Sequence, residues 1–242
     1  MSEDERSQAS DHLKVLAKGE TEVIGRLPWS SNRTFMTRCS SGDLELLAVY
    51  KPGRGERRLW DFPPCIYRRE VAAFELSEIL GWEIVPETIE REDAPYGPGS
   101  LQRFVAADFS EHHFTLVEDE AHHGALRTIC AFDVLANNAD RKSGHCLIDE
   151  DGHIWAIDNG LSFHREPKLR TVIWEFAGEP VPDSVLADLQ RVLDDTTLLD
   201  GLRCLLTGGE VEALRRRIRA LLRAGRFPVP DPDTYHYPWP LV

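Results

Sequence analysis

Hydrophobic and polar positions follow one pattern up to Val105 and another beyond it. In the first part the apolar residues come in short runs. Val23-Ile24-Gly25-Arg26-Leu27 and Leu44 to Tyr50 read as strands, and Ile84 to Thr88 and Gly99 to Val105 as further strand candidates. Pro28 to Thr34 is polar and suits a loop, while Ser40 to Asp43 and Pro95 to Gly99 carry turn residues. One segment departs from this pattern: Glu70 to Leu80 places apolar residues at roughly helical spacing and stops at Gly81. Past Val105 the helical period takes over, in Ala125 to Ala136, Asp183 to Leu199 and Gly209 to Ala224. Between the first two of these, Cys146-Leu147-Ile148 and Ile154-Trp155-Ala156-Ile157 are joined by Asp149-Glu150-Asp151-Gly152, which predicts a hairpin. The class is therefore α+β, with a β-rich part over 15–105 and a mainly helical part over 106–242. Residues 1–14 are polar and expected to be disordered. The proline-rich tail Phe227 to Val242 contains Tyr235, Tyr237 and Trp239 and is expected to pack on the body.

Composition narrows the class. With 242 residues and 42% hydrophobic content the chain can bury a proper core. It has no apolar run long enough to span a bilayer, and the polar start Met1-Ser2-Glu3-Asp4-Glu5-Arg6 resembles no signal peptide, so a cytoplasmic location is expected. The five cysteines lie far apart without a C-x-x-C pair and read as reduced. A net charge of −13 argues against nucleic acid as a partner and against general adhesion to an anionic membrane. The basic stretch Arg215 to Arg226, with Leu214, Ile218, Leu221 and Leu222 along one side, leaves two readings: peripheral contact with anionic lipid, or an amphipathic helix packed on the body. His112, His113, His122 and His123 sit in a polar, acidic context without a zinc-like ligand set and are expected on a surface loop or in a modest pH-sensitive region.

Two acidic motifs carry the chemistry. Asn137-Asn138-Ala139-Asp140-Arg141-Lys142-Ser143-Gly144-His145 reads as a loop with a candidate base, and Ile157-Asp158-Asn159-Gly160 as an apolar strand ending in a carboxylate and a turn. The hairpin between them brings both acids to one end of a small sheet. Phosphoryl transfer needs such a pair, because the attacking hydroxyl must be oriented and a cation must bridge the phosphate oxygens. Taken alone, Asp158 reads equally well as an ordinary turn residue and Asp140 as a solvated loop acid.

The string Ala156-Ile157-Asp158-Asn159-Gly160-Leu161-Ser162-Phe163 resembles the metal-binding motif of type II phosphatidylinositol 4-kinases, and Asn138-Ala139-Asp140-Arg141 resembles their catalytic loop. Together they identify the chain as similar to the phosphatidylinositol 3-/4-kinase-like group, within an actinobacterial branch. The resemblance implies a two-lobed protein-kinase-like fold and an ATP- and magnesium-dependent kinase whose acceptor hydroxyl is a lipid, a protein or a small molecule. A nucleotide-binding regulatory pseudokinase and a nucleotidyl transferase are the alternatives.

Within that resemblance Asp158 is the magnesium ligand, since a hard cation takes oxygen donors. Asp140 orients or deprotonates the acceptor, Arg141 holds either the loop or a phosphate, and Lys142 either neutralises the transferred group or is merely exposed. His145 departs from the pattern, because many relatives have asparagine there as second metal ligand. An imidazole suits softer ions, which opens a manganese preference, a single-metal site or a weakened enzyme, with Asn137 and Asn138 as possible compensating groups. Lys51, at a strand end, resembles the lysine that holds nucleotide phosphates, with Glu70 as expected partner and Glu75 as the alternative. Ser30, Ser31 and Asn32 either cradle phosphates or form an ordinary hairpin loop. Gln102, Phe104 and Val105 fall in the segment expected near adenine.

Overall fold

The computed structural model describes residues 3–28, 32–195 and 197–242. Its contacts gather into two compact units, Met1–Phe74 with Pro86–Val105, and Glu75–Val85 with Ala106–Val242.

The first unit is a five-stranded antiparallel sheet with a helix on it. Strands β1 (Glu20–Arg26), β2 (Phe35–Ser41), β3 (Leu44–Pro52), β4 (Thr88–Arg91) and β5 (Gly99–Arg103) lie in the order β1-β2-β3-β5-β4. Gly42, at φ 61°, makes the tight β2–β3 turn, a conformation glycine enters without a Cβ penalty. Strand β3 alternates strictly enough to send Ala48 and Tyr50 into the core, where they meet Cys39, Leu101, Ala94, Val15 and Leu16.

Val15 and Leu16 belong to helix α1 (Glu3–Lys18), and here the structure corrects the sequence reading. The segment expected to be disordered is helical from Glu3. Its polar sequence gives little reason to fold alone, but both apolar residues near its end are buried against the sheet. Arg91 then donates from Nη1 to the carbonyls of Leu16 (2.9 Å) and Gly19 (2.8 Å), satisfying oxygens that a helix end leaves open. That clamp comes from a distant strand, so no local pattern reveals it. Two smaller differences concern strands. The run Phe35–Ser41 is β2, although Phe35 to Cys39 was unassigned from sequence and Ser40 and Ser41 were expected in a turn, and the strand expected from Ile84 begins only at Thr88. The N–H groups of Ile84 and Val85 instead donate to the Ser77 hydroxyl.

In the second unit, helices α4 (His123–Ala136), α5 (Asp183–Asp194) and α6 (Gly208–Ala224) supply the apolar core, and α3 (His113–Leu116) is a single turn. Helix α4 buries Ile129, Phe132 and Leu135 completely. Helix α5 stops short of the expected Leu199. Helix α6 starts from a capping box, in which Thr207 N–H donates to Glu210 Oε2 (2.8 Å) and Glu210 N–H to the Thr207 hydroxyl (3.4 Å), and it ends at left-handed Gly225. Its apolar face, with Leu214, Ile218 and Leu221 buried, packs on the body. The expected hairpin forms from β6 (Cys146–Ile148) and β7 (Ile154–Ala156), turning through Gly152 at φ 81°. The tail follows the body too: Leu241 and His236 carbonyls accept from the N–H groups of Ser143 (2.8 Å) and Thr171 (3.0 Å).

Candidate active site

The site begins where α4 ends. Asn137 takes the left-handed conformation (φ 55°, ψ 49°), which asparagine tolerates better than most residues, and the chain turns out of the helix. Its side chain then fixes a distant loop. Nδ2 donates to the carbonyls of His164 (2.9 Å) and Glu166 (2.7 Å), and Oδ1 accepts from Lys168 N–H (2.8 Å). The neighbouring Asn138 donates to Asp133 (3.1 Å) and accepts from Asp140 N–H (3.0 Å). Both amides thus serve the loop framework.

Behind the loop lies an ion pair with no solvent exposure on either side: Asp133 from α4 and Arg141. Arg141 donates to Asp133 through Nε (3.1 Å) and Nη2 (3.0 Å), to the Ile157 carbonyl through Nη1 (2.5 Å) and to Asn159 Oδ1 through Nη2 (2.6 Å). Thr171 adds a hydroxyl bond to Asp133 (3.0 Å). Charges this deep are tolerated only when paired and fully bonded. One guanidinium therefore fastens the segment around Asp140 to the segment around Asp158. The two readings of Arg141 are resolved by this burial: it holds the loop and has no face open to a phosphate.

The two acids stand on this frame and reach solvent, with side chains 26% exposed for Asp140 and 50% for Asp158. Burial pushes the Asp140 carboxyl above its usual range, the positive charge and hydrogen bond of Lys142 pull it back, and the Asp158 charge adds to the upward push. Lys142 Nζ lies 3.1 Å from Asp140 Oδ2. Asp158 itself has φ 56°, an uncommon conformation for a residue with a side chain and one that clusters at functional sites.

His145 faces Asp158, with Nε2 3.4 Å from Oδ2, while its Nδ1 accepts from Lys142 N–H at 3.3 Å. An accepting Nδ1 leaves the proton on Nε2, so the imidazole directs a donor at the carboxylate rather than a lone pair at a metal. The donor set still suits magnesium. Asp158 offers hard oxygens, and no group of three histidine, cysteine or acidic side chains converges among the described residues. Magnesium is commonly held by one or two carboxylates, with phosphate oxygens and water completing the octahedron.

In the sheet unit, Lys51 extends from the end of β3, opposite Ser100, and pairs with Glu70 of α2 (Tyr67–Leu80). Glu70 is 3% exposed, and Glu75, the alternative partner, faces solvent. The other residues expected around a nucleotide are Ser30, Ser31, Asn32, Gln102, Phe104 and Val105. Ser30 and Ser31 lie outside the described residues, and Asn32 accepts from Arg57 N–H (2.8 Å). Gln102 Nε2 donates to the buried hydroxyl of Thr88 (2.8 Å), its directly opposed partner across the β4–β5 ladder. Phe104 N–H closes on the Leu47 carbonyl (2.9 Å), and Val105 is buried. The histidines disperse as well. His113 is fully buried against Glu175 (3.1 Å), and His123 bonds the Val117 carbonyl (2.8 Å).

Asp133 and Asn159 are the site residues that sequence reading missed. Asp133 had a usable signal, an acid inside the apolar stretch Ala125 to Ala136, since a charge on a buried helix requires a partner.

A helical unit that locks two loop acids on a buried arginine, together with a sheet unit carrying a lysine–glutamate pair, defines a kinase-like α+β protein. A model of the phosphatidylinositol 3- and 4-kinase family matches residues 71–221, which include both acids, and the chain belongs to that family. Protein Rv2133c of Mycobacterium tuberculosis is 38% identical over 95% of each chain. Among solved structures, that of hydra Fam20 with sugar aligns at a TM-score of 0.63 and 16% identity, covering 90% of this chain and 88% of the other. The Helicobacter pylori proinflammatory kinase CtkA aligns at 0.50 and 12%, covering 88% and 94%. At these identities the likeness to both is one of fold.

Proposed function

We propose that this protein is an ATP- and magnesium-dependent phosphotransferase acting on a hydroxyl acceptor. The observation that carries the reading is the pair Asp140 and Asp158, solvent-reaching carboxylates on one frame whose buried arginine satisfies both loops. Asp140 takes the acceptor proton as the acceptor oxygen bonds to phosphorus and the bond to the leaving diphosphate breaks. Its upward-shifted carboxyl suits that task, since a base works best with a pKa nearer the operating pH. Lys142 steadies Asp140 as an anion until then. Asp158 holds magnesium, which when bound neutralises phosphate charge, and His145 restrains the Asp158 carboxylate. Lys51, oriented by Glu70, binds nucleotide phosphates. Arg141 and Asp133 are positioning residues.

His145 also motivates a second reading, a pseudokinase that binds nucleotide without turnover. Transfer from ATP labelled at the γ or the α position, offered with phosphatidylinositol vesicles, a serine-rich protein and water as acceptors, separates the possibilities. The phosphotransferase reading expects γ label in an acceptor or in free phosphate, with Asp140→Asn reducing the rate about 100-fold or more. Label moving only from the α position would replace it with nucleotidyl transfer. ATP-dependent thermal stabilisation, roughly 2.7 kcal/mol at 100 times the dissociation constant, without turnover would leave the pseudokinase.

A further inference from the structure

The basic face of α6 has no part in the chemistry above, yet it borders a cleft of about 820 Å³ between α4, α6 and the loop that Asn137 ties down. That volume is in the range of sites that enclose small molecules. The floor is apolar, formed by Val134, Leu169, Leu221 and Phe227 among others. Charge on its walls is one-sided: Arg165, Arg216, Arg217 and Arg226 line it, against the single carboxylate of Glu166. In a chain of net charge −13 such a concentration of arginine is a local reversal of sign.

Arg217 is the most telling of the four. Its Nε donates to the Leu135 carbonyl (2.6 Å) and its Nη1 to the His164 carbonyl (3.3 Å), but its buried Nη2 has no hydrogen-bond partner among the described residues. Arg217 is half-buried and has no carboxylate partner in its bonds among the described residues, and a guanidinium so placed is a ready partner for a carboxylate or phosphate. Burial, followed by the neighbouring Arg216 charge, pulls the Arg217 pKa down to about 10, with Glu210 acting in the opposite sense, so the group remains cationic at neutral pH.

We propose that this cleft binds an anionic amphiphile, a molecule with an apolar body seated on Val134, Leu221 and Phe227 and a carboxylate or phosphate head directed at the arginines. Apolar floor and cationic rim each point to one half of such a ligand. Neither Asp140 nor Asp158 lines the cleft, and the proposal does not depend on the phosphotransferase reading.

Isothermal titration of the 242-residue chain with decyl phosphate and decanoate, each kept monomeric, tests the proposal. Decanol and decyltrimethylammonium serve as the neutral and cationic controls. At least one anion should bind saturably and at least tenfold more tightly than either control, and the stronger of the two identifies the head group. Arg216→Glu, at an exposed position, should weaken the anion at least tenfold and leave decanol unchanged. Ala220→Trp, also exposed, should obstruct the cleft and weaken the anion at least tenfold, whereas Asp158→Ala should bind it as the parent does. Arg217→Ala is avoided because its carbonyl bonds support the fold. No saturable anion binding, equal binding of the cation, or parental affinity in both cleft variants would overturn the proposal. Adsorption only to phosphatidylglycerol vesicles, with the monomers ignored, would overturn it in favour of a membrane-facing helix.

Discussion

Two cation–carboxylate pairs, one in each unit, have opposite characters. Arg141 and Asp133 are both fully removed from solvent, and the guanidinium is bonded on every edge that matters: to Asp133, to Asn159 and to the Ile157 carbonyl. Lys51 meets a buried Glu70 but keeps 20% of its own side chain exposed. Arginine presents a planar fork that can knit several segments together, whereas lysine is a point charge on a flexible stem. The first pair is built to be saturated, and the second leaves a cation able to meet something else.

The sharpest way to break this comparison is to unpair each side. Asp133→Ala strands a buried guanidinium and should cost about 3–5 kcal/mol in urea unfolding. In contrast, the combined replacement Lys51→Met with Glu70→Gln removes both charges together and should change stability by about 1 kcal/mol or less while abolishing stabilisation by ATP. If the double variant unfolded as readily as Asp133→Ala, the lysine pair would be scaffold after all.

Smaller effects sharpen the contrast between frame and acids. Burial raises the Asp140 carboxyl, so its ionised form is a destabilising element of the folded state above its unfolded pKa. Asp140→Asn should therefore raise the melting temperature at neutral pH, and the gain should disappear as acid protonates the parent. A fall in stability at neutral pH would contradict the upward shift of this carboxyl. Lys142→Met removes the charge that lowers the same carboxyl, and should move the acidic limb of any phosphoryl-transfer profile to higher pH. The least effect belongs to Glu175, far along the chain. Burial raises its carboxyl, but the bond with His113 and backbone donors outweigh that and hold it lower than usual. Its contribution is present above the unfolded pKa and is lost as pH falls through the folded value. Glu175→Gln should accordingly narrow the stability difference between neutral and mildly acidic solution, as read by thermal melts across pH.

Legibility in the sequence followed locality. The β6–β7 hairpin, helices α4 and α6 and the Lys51–Glu70 pairing were readable because each rests on a short motif or a period. Helix α1 was not, because what holds it is an arginine contributed by β4. Asp133 was hidden for a similar reason: its partner is determined by the fold of a loop, and an isolated acid in an apolar helix announces a bond without naming the other end. The bond between Gln102 and Thr88 was not readable either, because strand register, unknown from the sequence, decides which residue of β4 stands opposite.

The hairpin between the two acids also offers a practical opening. Cys146 and Ala156 pair at its base, next to the segments the buried arginine holds, while exposed Glu150 and Asp151 form its tip. Length added at the tip need not reach the base, since the ladder below it absorbs the change. A fluorescent tag or a short epitope grafted between Glu150 and Asp151 would thus ride on the hairpin that joins the two loop acids, reporting on them from an exposed tip.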